Sequence, residues 1–231
     1  MKYTAPDASL FVLNRKNFAQ RLKPKSIAIF NANDEQLRSG DQNFAFKQNP
    51  DLFYLSGIDQ EQSILILFPD CPNPLYREVL FLRQTNDHIK VWEGHKYTKE
   101  GAKQASGIEQ IFWLDEFWTV LQSIIHYAEN IYLNTNENDR SVYEVPYRDL
   151  RFIQHLKERY PLHQYERSAL ILRDLRPVKS EIEVQLTKKA CEITRDAFVR
   201  VLKFTKPGVT EYEIEAEIIH EFIRQRATGH A

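Results

Sequence analysis

Apolar residues in the first three quarters of the chain follow two alternating patterns. Short runs of consecutive apolar residues predict buried strands, and residues 63–68 are apolar enough to predict burial on both faces. Apolar residues spaced three or four positions apart predict amphipathic helices. The predicted strands are residues 26–31, 53–56, 63–68, 77–82, 89–94, 110–113 and 130–134, and the predicted helices are residues 8–22, 98–105, 114–129 and 147–160. This alternation predicts an α/β fold with helices on both faces of a sheet.

Near the end of the chain, the sequence carries start and stop signals for two further helices. Ser180 and Glu183 have the Ser-x-x-Glu spacing of a capping box, and Thr210 and Glu213 repeat that device. The Pro-Gly pair at 207–208 cannot continue a helix and separates the two. The pattern predicts a helical hairpin, preceded by residues 168–176, which fit either a helix or an extended segment.

Each helix of this hairpin has an apolar face. The residues on these faces are Ile182, Leu186, Ala190, Ile193, Ala197, Val201 and Phe204 in the first helix, and Ile214, Ile218 and Phe222 in the second. The combined face is too large for two helices to bury against each other, and exposed apolar patches promote association. We therefore expect either self-association through this face or mobile helices. Cys191 lies beside the face and is interpreted as a packing residue.

Two groups of motifs resemble those of a known enzyme family. Residues 176–183 (Arg-Pro-Val-Lys-Ser-Glu-Ile-Glu), 190–194 (Ala-Cys-Glu-Ile-Thr) and 207–215 (Pro-Gly-Val-Thr-Glu-Tyr-Glu-Ile-Glu) resemble the opening of a pita-bread peptidase domain. Residues 46–57 (Phe-Lys-Gln-Asn-Pro-Asp-Leu-Phe-Tyr-Leu-Ser-Gly) resemble a segment of the N-terminal domain that aminopeptidase P enzymes carry. Prolidase and creatinase are related to the same family. The motifs occur in the expected order and span nearly the whole chain.

The resemblance implies a division of the chain into two parts. Residues 1–172 would form the aminopeptidase P N-terminal domain, with a mixed sheet and helices on both faces. Residues 173–231 would form the first helices of the pita-bread catalytic domain, which would be incomplete.

The resemblance also implies an activity, the removal of an N-terminal residue that precedes proline. Family members use two divalent metals, usually manganese, held by two Asp, one His and two Glu that follow the opening helices. Carboxylate-bridged metals generate a hydroxide near neutral pH and polarise the scissile carbonyl. The sequence reaches Ala231 before any of these ligand positions. No catalytic or metal-binding residue is therefore assigned, and residues 1–231 alone are expected to be inactive.

Two positions are candidates for a substrate cleft or a subunit contact. In aminopeptidase P the N-terminal domain of one subunit reaches toward the active site of a neighbour, which implies a homo-oligomer acting on proline-containing peptides. Asp41 resembles an acidic position facing that cleft, and Trp92 resembles an aromatic residue at the subunit contact. The alternatives are a turn residue for Asp41 and an edge-strand aromatic covering its own sheet for Trp92. Arg148 is a further candidate for the same cleft.

Composition excludes several classes of partner. The net charge is −1, so charge gives no basis for binding nucleic acid or an anionic membrane surface. The N-terminus lacks the apolar run of a signal peptide, and no stretch reaches transmembrane length. Cys71 and Cys191 have no metal-type spacing, and a reduced, cytoplasmic setting is expected.

Other site chemistries find no support in the sequence. No glycine-rich phosphate loop occurs. His220 and Glu221 begin a zincin-like pattern, but position 224 is Arg rather than His, which predicts a solvated pair on a helix. Ser168 and Cys191 have no recognisable His and Asp partners for nucleophilic catalysis. Two alternatives to the aminopeptidase stay open: a non-catalytic, peptidase-like protein-binding module, and a prolidase or creatinase on the same scaffold.

Overall fold

The computed structural model describes residues 5–86, 91–92, 94, 96–138, 140, 144–227 and 229. The chain divides into two compact units, one formed by Pro6–Val178 and the other containing the residues from Lys179 onward. The domain boundary expected near residue 172 falls inside a helix of the first unit and stays a prediction. Among the described helices, none combines the length and the apolar composition needed to cross a lipid bilayer.

A mixed sheet forms the centre of the first unit. The strands of this unit are β1 (Ser26–Asn31), β2 (Leu37–Ser39), β3 (Gln42–Asn43), β4 (Ile64–Leu67), β5 (Glu78–Leu82), β6 (Gln110–Trp113), β7 (Asn130–Leu133) and β8 (Gln164–Arg167). Six of them form one sheet in the order β6-β5-β4-β1-β7-β8, and β2 pairs with β3 in a separate hairpin. Strand β4 is antiparallel to both its neighbours, while the other adjacent pairs are parallel. The predicted mixed α/β class is confirmed.

Six α-helices with described bounds in the first unit cover this sheet. They are α1 (Ala8–Ala19), α2 (Pro50–Ser56), α3 (Lys99–Ser106), α4 (Phe117–Ile124), α5 (Arg148–Arg159) and α6 (Ser168–Leu175). Helices α1, α2, α3 and α6 contribute to the core on one face, and α4 and α5 contribute to the core on the other.

Alternate residues of the central strands supply the two cores. In β1, Ala28 and Phe30 belong to the core with α1 and α2, whereas Ile27 and Ile29 belong to the core with α4. This follows from the two-residue repeat of a strand, in which successive side chains point to opposite faces. All four residues of β4 are buried in the same alternating way, which confirms the prediction that both its faces are covered.

The strand predicted at residues 53–56 is wrong, because these residues belong to helix α2. Asn49 caps the helix by accepting hydrogen bonds from the backbone N–H groups of Asp51 and Leu52, and Pro50 occupies its first turn. Gly57 ends it in the left-handed conformation (φ 68°). The short apolar run resembled a strand, but local capping determined the backbone conformation.

The strand predicted at residues 89–94 lies partly outside the described residues. Val91 and Trp92 are helical, so the prediction is wrong at these two positions. Strand β2 lies outside all the strands that the sequence predicts.

Helices α2 and α3 end in the same short sequence, Ser-Gly-Ile. Ser56 and Ser106 each donate their hydroxyl to the carbonyl four residues earlier, and each hydroxyl oxygen accepts the N–H of the isoleucine two residues later. The fully buried Arg15 of α1 joins the two ends, because its Nη1 donates to the carbonyls of Leu55 and Ser106, at 2.9 Å each. One cation thus satisfies a carbonyl at the end of each helix.

The second unit is the predicted helical hairpin, with α7 (Glu181–Phe204) and α8 (Glu211–Arg224). Both predicted capping boxes form: the Ser180 N–H donates to Glu183 Oε2 at 2.8 Å, and the Thr210 N–H donates to Glu213 Oε2 at 2.8 Å. The α7 N-cap is completed by a hydrogen bond from the Glu183 N–H to Ser180 Oγ. The sequence signals therefore fixed both helix starts correctly.

Only part of the predicted apolar face is buried. Ile193, Ala197 and Phe222 form its small core. The large apolar side chains of the hairpin that remain exposed are Leu186, Phe198, Val199, Leu202, Tyr212 and Ile223. Cys191 is exposed as well, so its interpretation as a packing residue is wrong.

Candidate functional site

Asp41 lies in the turn that joins β2 to β3. The preceding Gly40 has φ 58°, a left-handed conformation suited to a tight hairpin turn. Asp41 is exposed, as are β2 and β3, so its carboxylate is accessible to solvent. This position agrees with the alternative interpretation of Asp41 as a turn residue. A role in a substrate cleft stays a prediction.

Trp92 lies at the surface next to another apolar side chain. Its side chain is 77% exposed, and that of Val91 is 78% exposed. The two residues are helical, so Trp92 does not lie on an edge strand covering its own sheet. Adjacent exposed Val and Trp side chains are suited to contact with another surface.

A buried polar cluster not anticipated from the sequence lies where strands β1 and β7 end. Asn31, the last residue of β1, donates its side-chain N–H to Asp149 Oδ1 at 2.9 Å. Asp149 lies in the first turn of α5, and both residues are buried. Asn31 follows Ile29 by two positions and therefore points to the face of the sheet that α4 and α5 cover.

A matching pair lies on the opposite face of the sheet. Asn134 directly follows β7 and donates its side-chain N–H to Asp51 Oδ2 at 3.0 Å. Asp51 lies in the first turn of α2, and its other oxygen accepts from Arg176 Nη1 at 2.7 Å. On each face, an asparagine at the end of a parallel strand therefore holds a carboxylate at a helix N-terminus, where the helix dipole favours negative charge.

A third carboxylate fixes the start of α5. Asp34 accepts the backbone N–H of Arg148 at 2.9 Å and forms two hydrogen bonds with the guanidinium of Arg151. Arg148, considered from the sequence as a possible cleft residue, contributes a positive charge that interacts with both Asp34 and Asp149.

Asp149 is the electrostatically unusual residue of the cluster. Burial raises the pKa of Asp149 to about 7, and the hydrogen bond from Asn31 and the charge of Arg148 offset this only in part. Asp51 and Asp34 raise the pKa further through their negative charges. The cluster can therefore bind one proton near neutral pH.

No local sequence pattern indicates this cluster. An aspartate in the first turn of a helix is a common feature that usually faces solvent. An asparagine after a strand is equally typical of a loop. Burial of Asp149 arises from tertiary packing, which the local pattern does not encode.

The described residues do not provide a metal centre. Among them, no three His, Cys, Asp or Glu side chains are grouped closely enough to hold an ion. The described residues therefore do not supply the ligand set that the resemblance implies for the complete enzyme.

Of His220 and Glu221, only His220 is exposed to solvent. His220 is exposed, whereas Glu221 is 2% exposed and accepts hydrogen bonds from Arg224 and Gln225. These bonds hold the pKa of Glu221 below its ordinary value, Arg224 having the larger effect. The expectation of a solvated glutamate is wrong, and the structure assigns Glu221 to a structural ion-pair network in the hairpin.

Both parts of the chain match families of known proteins. Residues 11–132 match the family "Aminopeptidase P, N-terminal domain", and residues 185–231 match "Metallopeptidase family M24". The Xaa-Pro aminopeptidase of Haemophilus influenzae is 27% identical over 210 residues, which cover 91% of this chain and 46% of the relative. The Xaa-Pro aminopeptidase of Escherichia coli is also 27% identical, over 94% of this chain and 49% of the relative.

The fold agrees with solved structures of the same group. The structure of Pseudomonas aeruginosa aminopeptidase PepP superimposes with a TM-score of 0.78 at 25% identity, covering 94% of this chain and 49% of that one. The chain thus spans about half the length of the relatives it matches. With more than half of its residues matched to one family, the chain belongs to the aminopeptidase P N-terminal domain family.

Proposed function

We propose that this chain forms the amino-terminal part of a Xaa-Pro aminopeptidase. The observation that supports the proposal is the order of the two family matches along one chain, the aminopeptidase P N-terminal domain followed by the start of a metallopeptidase domain. The named relatives are Xaa-Pro aminopeptidases and match the chain across both parts. We also propose a cytoplasmic location, in keeping with two cysteines that are free rather than paired.

The proposed reaction is hydrolysis of the bond between an N-terminal residue and proline. Proline has no amide N–H and has a fixed φ, so this tertiary amide requires an active site shaped for it. Two divalent metals, for which manganese is the proposed identity, would supply the activated water in the complete enzyme. The ligands would come from residues beyond those described here.

The proposed role of the present residues is to control subunit assembly and substrate access. Asp41 lies on an exposed hairpin turn, and Trp92 on an exposed surface beside Val91. In a homo-oligomer, both could reach a neighbouring subunit without any change in the sheet. Asp41 is proposed to bind the free amino group of a peptide, since a carboxylate pairs with an ammonium group.

The test compares two proteins on three peptides. The complete gene product and residues 1–231 alone are incubated with Ala-Pro-Ala, with Ala-Ala-Ala and with the dipeptide Ala-Pro, in the presence of Mn²⁺ and again after chelation. We expect the complete product to release alanine from Ala-Pro-Ala and not from Ala-Ala-Ala, and to lose this activity on chelation. Residues 1–231 alone should release none.

Three results would contradict the proposal. Hydrolysis of Ala-Ala-Ala at an equal rate would remove the specificity for proline, and cleavage of the dipeptide Ala-Pro without cleavage of Ala-Pro-Ala would indicate prolidase chemistry instead. Absence of hydrolysis by a folded, metal-loaded complete product would favour the non-catalytic binding module.

A further inference from the structure

We propose that Glu61, supported by Gln60, is a positioning residue that fixes the surface carrying Val91 and Trp92. The inference rests on the proposed function only in taking Trp92 as a contact residue. The geometry that supports it lies entirely within the first compact unit and involves residues that the sequence had not singled out.

Glu61 contacts the chain on both sides of Trp92. Its carboxylate forms a short ion pair with Lys96, four residues after Trp92, and the same oxygen lies 3.7 Å from Nη1 of Arg83, which directly follows strand β5. Glu61 is 5% exposed and Lys96 9% exposed. One buried carboxylate therefore contacts a residue before and a residue after Val91 and Trp92 in the chain.

Gln60 adds a backbone contact beside the ion pair. Its Oε1 accepts the N–H of Tyr97 at 2.7 Å, and both side chains are buried. Thr98, the next residue, caps helix α3. Gln60 and Glu61 thus hold Lys96 and Tyr97 in place immediately before α3. Because α3 packs into the core, these contacts tie the segment after Trp92 to a rigid element.

The loop that carries Gln60 and Glu61 is itself held by Gln48. The Gln48 side-chain N–H group donates to the carbonyls of Ile58 and Gln60, at 3.0 and 2.8 Å, and its Oε1 accepts the N–H of Asn49 at 2.7 Å. Gln48 belongs to the segment 46–57 that carries the family resemblance. A chain of contacts therefore runs from that segment through Gln60 and Glu61 to the residues after Trp92.

A buried ion pair is a costly way to stabilise a loop, because both charges lose their hydration. Its advantage over an apolar contact is geometric, since a carboxylate pairs with cations only at defined positions. This is the property needed to place an exposed aromatic side chain at a fixed point on a surface.

The experiment follows the three tryptophans by ¹⁹F NMR. The chain labelled with 5-fluorotryptophan contains Trp92, Trp113 and Trp118, and Trp92→Phe assigns the first signal. Glu61→Gln keeps the size of the side chain and removes its charge. We expect this variant to move and narrow the Trp92 signal alone, and to speed hydrogen exchange at the Tyr97 N–H by about tenfold.

The matched control is Glu109→Gln, which removes the carboxylate of the exposed Lys103 and Glu109 pair in the same unit. It should leave all three signals unchanged. If Glu61→Gln unfolds the chain and shifts every signal, Lys96→Met is measured in its place. This variant removes the same ion pair by replacing the cation and leaves Glu61 intact.

An unchanged Trp92 signal and unchanged Tyr97 exchange, in whichever of the two variants stays folded, would overturn the proposal. Neither readout depends on hydrolysis of a peptide. A complete gene product without peptidase activity would therefore refute the proposed function while leaving this inference intact. Conversely, an active enzyme with an unchanged Trp92 signal and unchanged Tyr97 exchange would refute this inference alone.

Discussion

At the scale of single residues, Asp149 shows how strongly burial can alter an ordinary side chain. It occupies a position where a helix dipole favours negative charge, and an asparagine donates a hydrogen bond to it. Burial nevertheless dominates and raises its pKa to about 7. The carboxyl group therefore carries a proton in the folded chain over a pH range in which the unfolded chain has released it.

This difference predicts a pH-dependent stability. Between the ordinary pKa of 3.8 and about 7, the folded chain binds one proton more than the unfolded chain, so the free energy of unfolding falls as pH rises. Asp149→Asn keeps an acceptor for Asn31 but cannot ionise. We expect this variant to gain stability over the wild type as pH rises from 5 to 8, by at most about 3 kcal/mol, because the wild type loses stability only up to about pH 7. Urea unfolding at several pH values measures the gain.

A second variant tests the sign of the effect. Asn31→Ala removes the hydrogen bond that stabilises the ionised carboxylate, so its loss of stability should be larger at pH 8 than at pH 5. A gain for Asp149→Asn that is the same at every pH would contradict the assignment of the raised pKa to Asp149.

At the scale of elements, Arg15 connects three helices through hydrogen bonds. From α1 it donates to carbonyls at the ends of α2 and α3, and its Nε pairs with Glu78 of β5 at 2.9 Å. The two carbonyls belong to the last turns of α2 and α3, whose Ser-Gly-Ile endings are identical in sequence. The repeat is visible in the sequence, but its meaning depends on where α1 packs.

We predict that Arg15→Met destabilises the first unit by about 2–4 kcal/mol. The substitution keeps much of the side-chain volume but leaves two buried carbonyls without their donor, and each unsatisfied group is costly. Chemical denaturation measures the loss. Lys103→Met is the control: Lys103 of α3 belongs to an exposed ion pair with Glu109, so we expect a loss of at most about 1 kcal/mol. Equal losses in the two variants would contradict the role of the hydrogen bonds from Arg15 to the two carbonyls.

At the scale of the whole molecule, the two compact units differ in how well they bury their apolar residues. The first unit has two extensive cores, one on each face of its sheet. Among the described residues of the hairpin, three apolar residues form a buried core, with Ile218 and Ala227 partly buried against them. Several large side chains are exposed, among them Phe198 and Leu202. Apolar surface of this kind favours contact with another surface.

The residues 1–231 are accordingly predicted to self-associate through the hairpin. Sedimentation velocity over a range of concentrations should show a concentration-dependent increase in mass for the wild type, and Phe198→Lys with Leu202→Lys should reduce it. Lysine is well tolerated on an exposed helix surface, so the double variant should keep its helices. A monomer at every concentration, with slow hydrogen exchange throughout both helices, would contradict the prediction.

The candidate site was much less predictable from sequence than the fold. Asp41 and Trp92 were selected by resemblance, and both lie at exposed positions. Their roles at a cleft or a subunit contact stay predictions. Asn31, Asp149, Gln60 and Glu61 were missed, because their importance comes from partners 35 or more residues away. No local pattern distinguishes a buried aspartate in a first turn from an exposed one.

The sequence by itself determined the elements whose signals are local. Capping boxes at Ser180 and Thr210 set the helix starts, and the continuous apolar run of β4 set its burial on both faces. These features depend on backbone hydrogen bonds and on periodicity within a few residues. Local signals failed at residues 53–56, where an apolar run was taken for a strand although the Asn49 cap and Gly57 define a helix.

Only the tertiary structure decided the order of the strands, the burial of Asp149 and the contacts that Glu61 makes on both sides of Trp92. Each depends on segments that are distant in sequence and meet when the sheet forms. Desolvation and ion pairing are properties of the space around a group, so they become defined only when that space is enclosed.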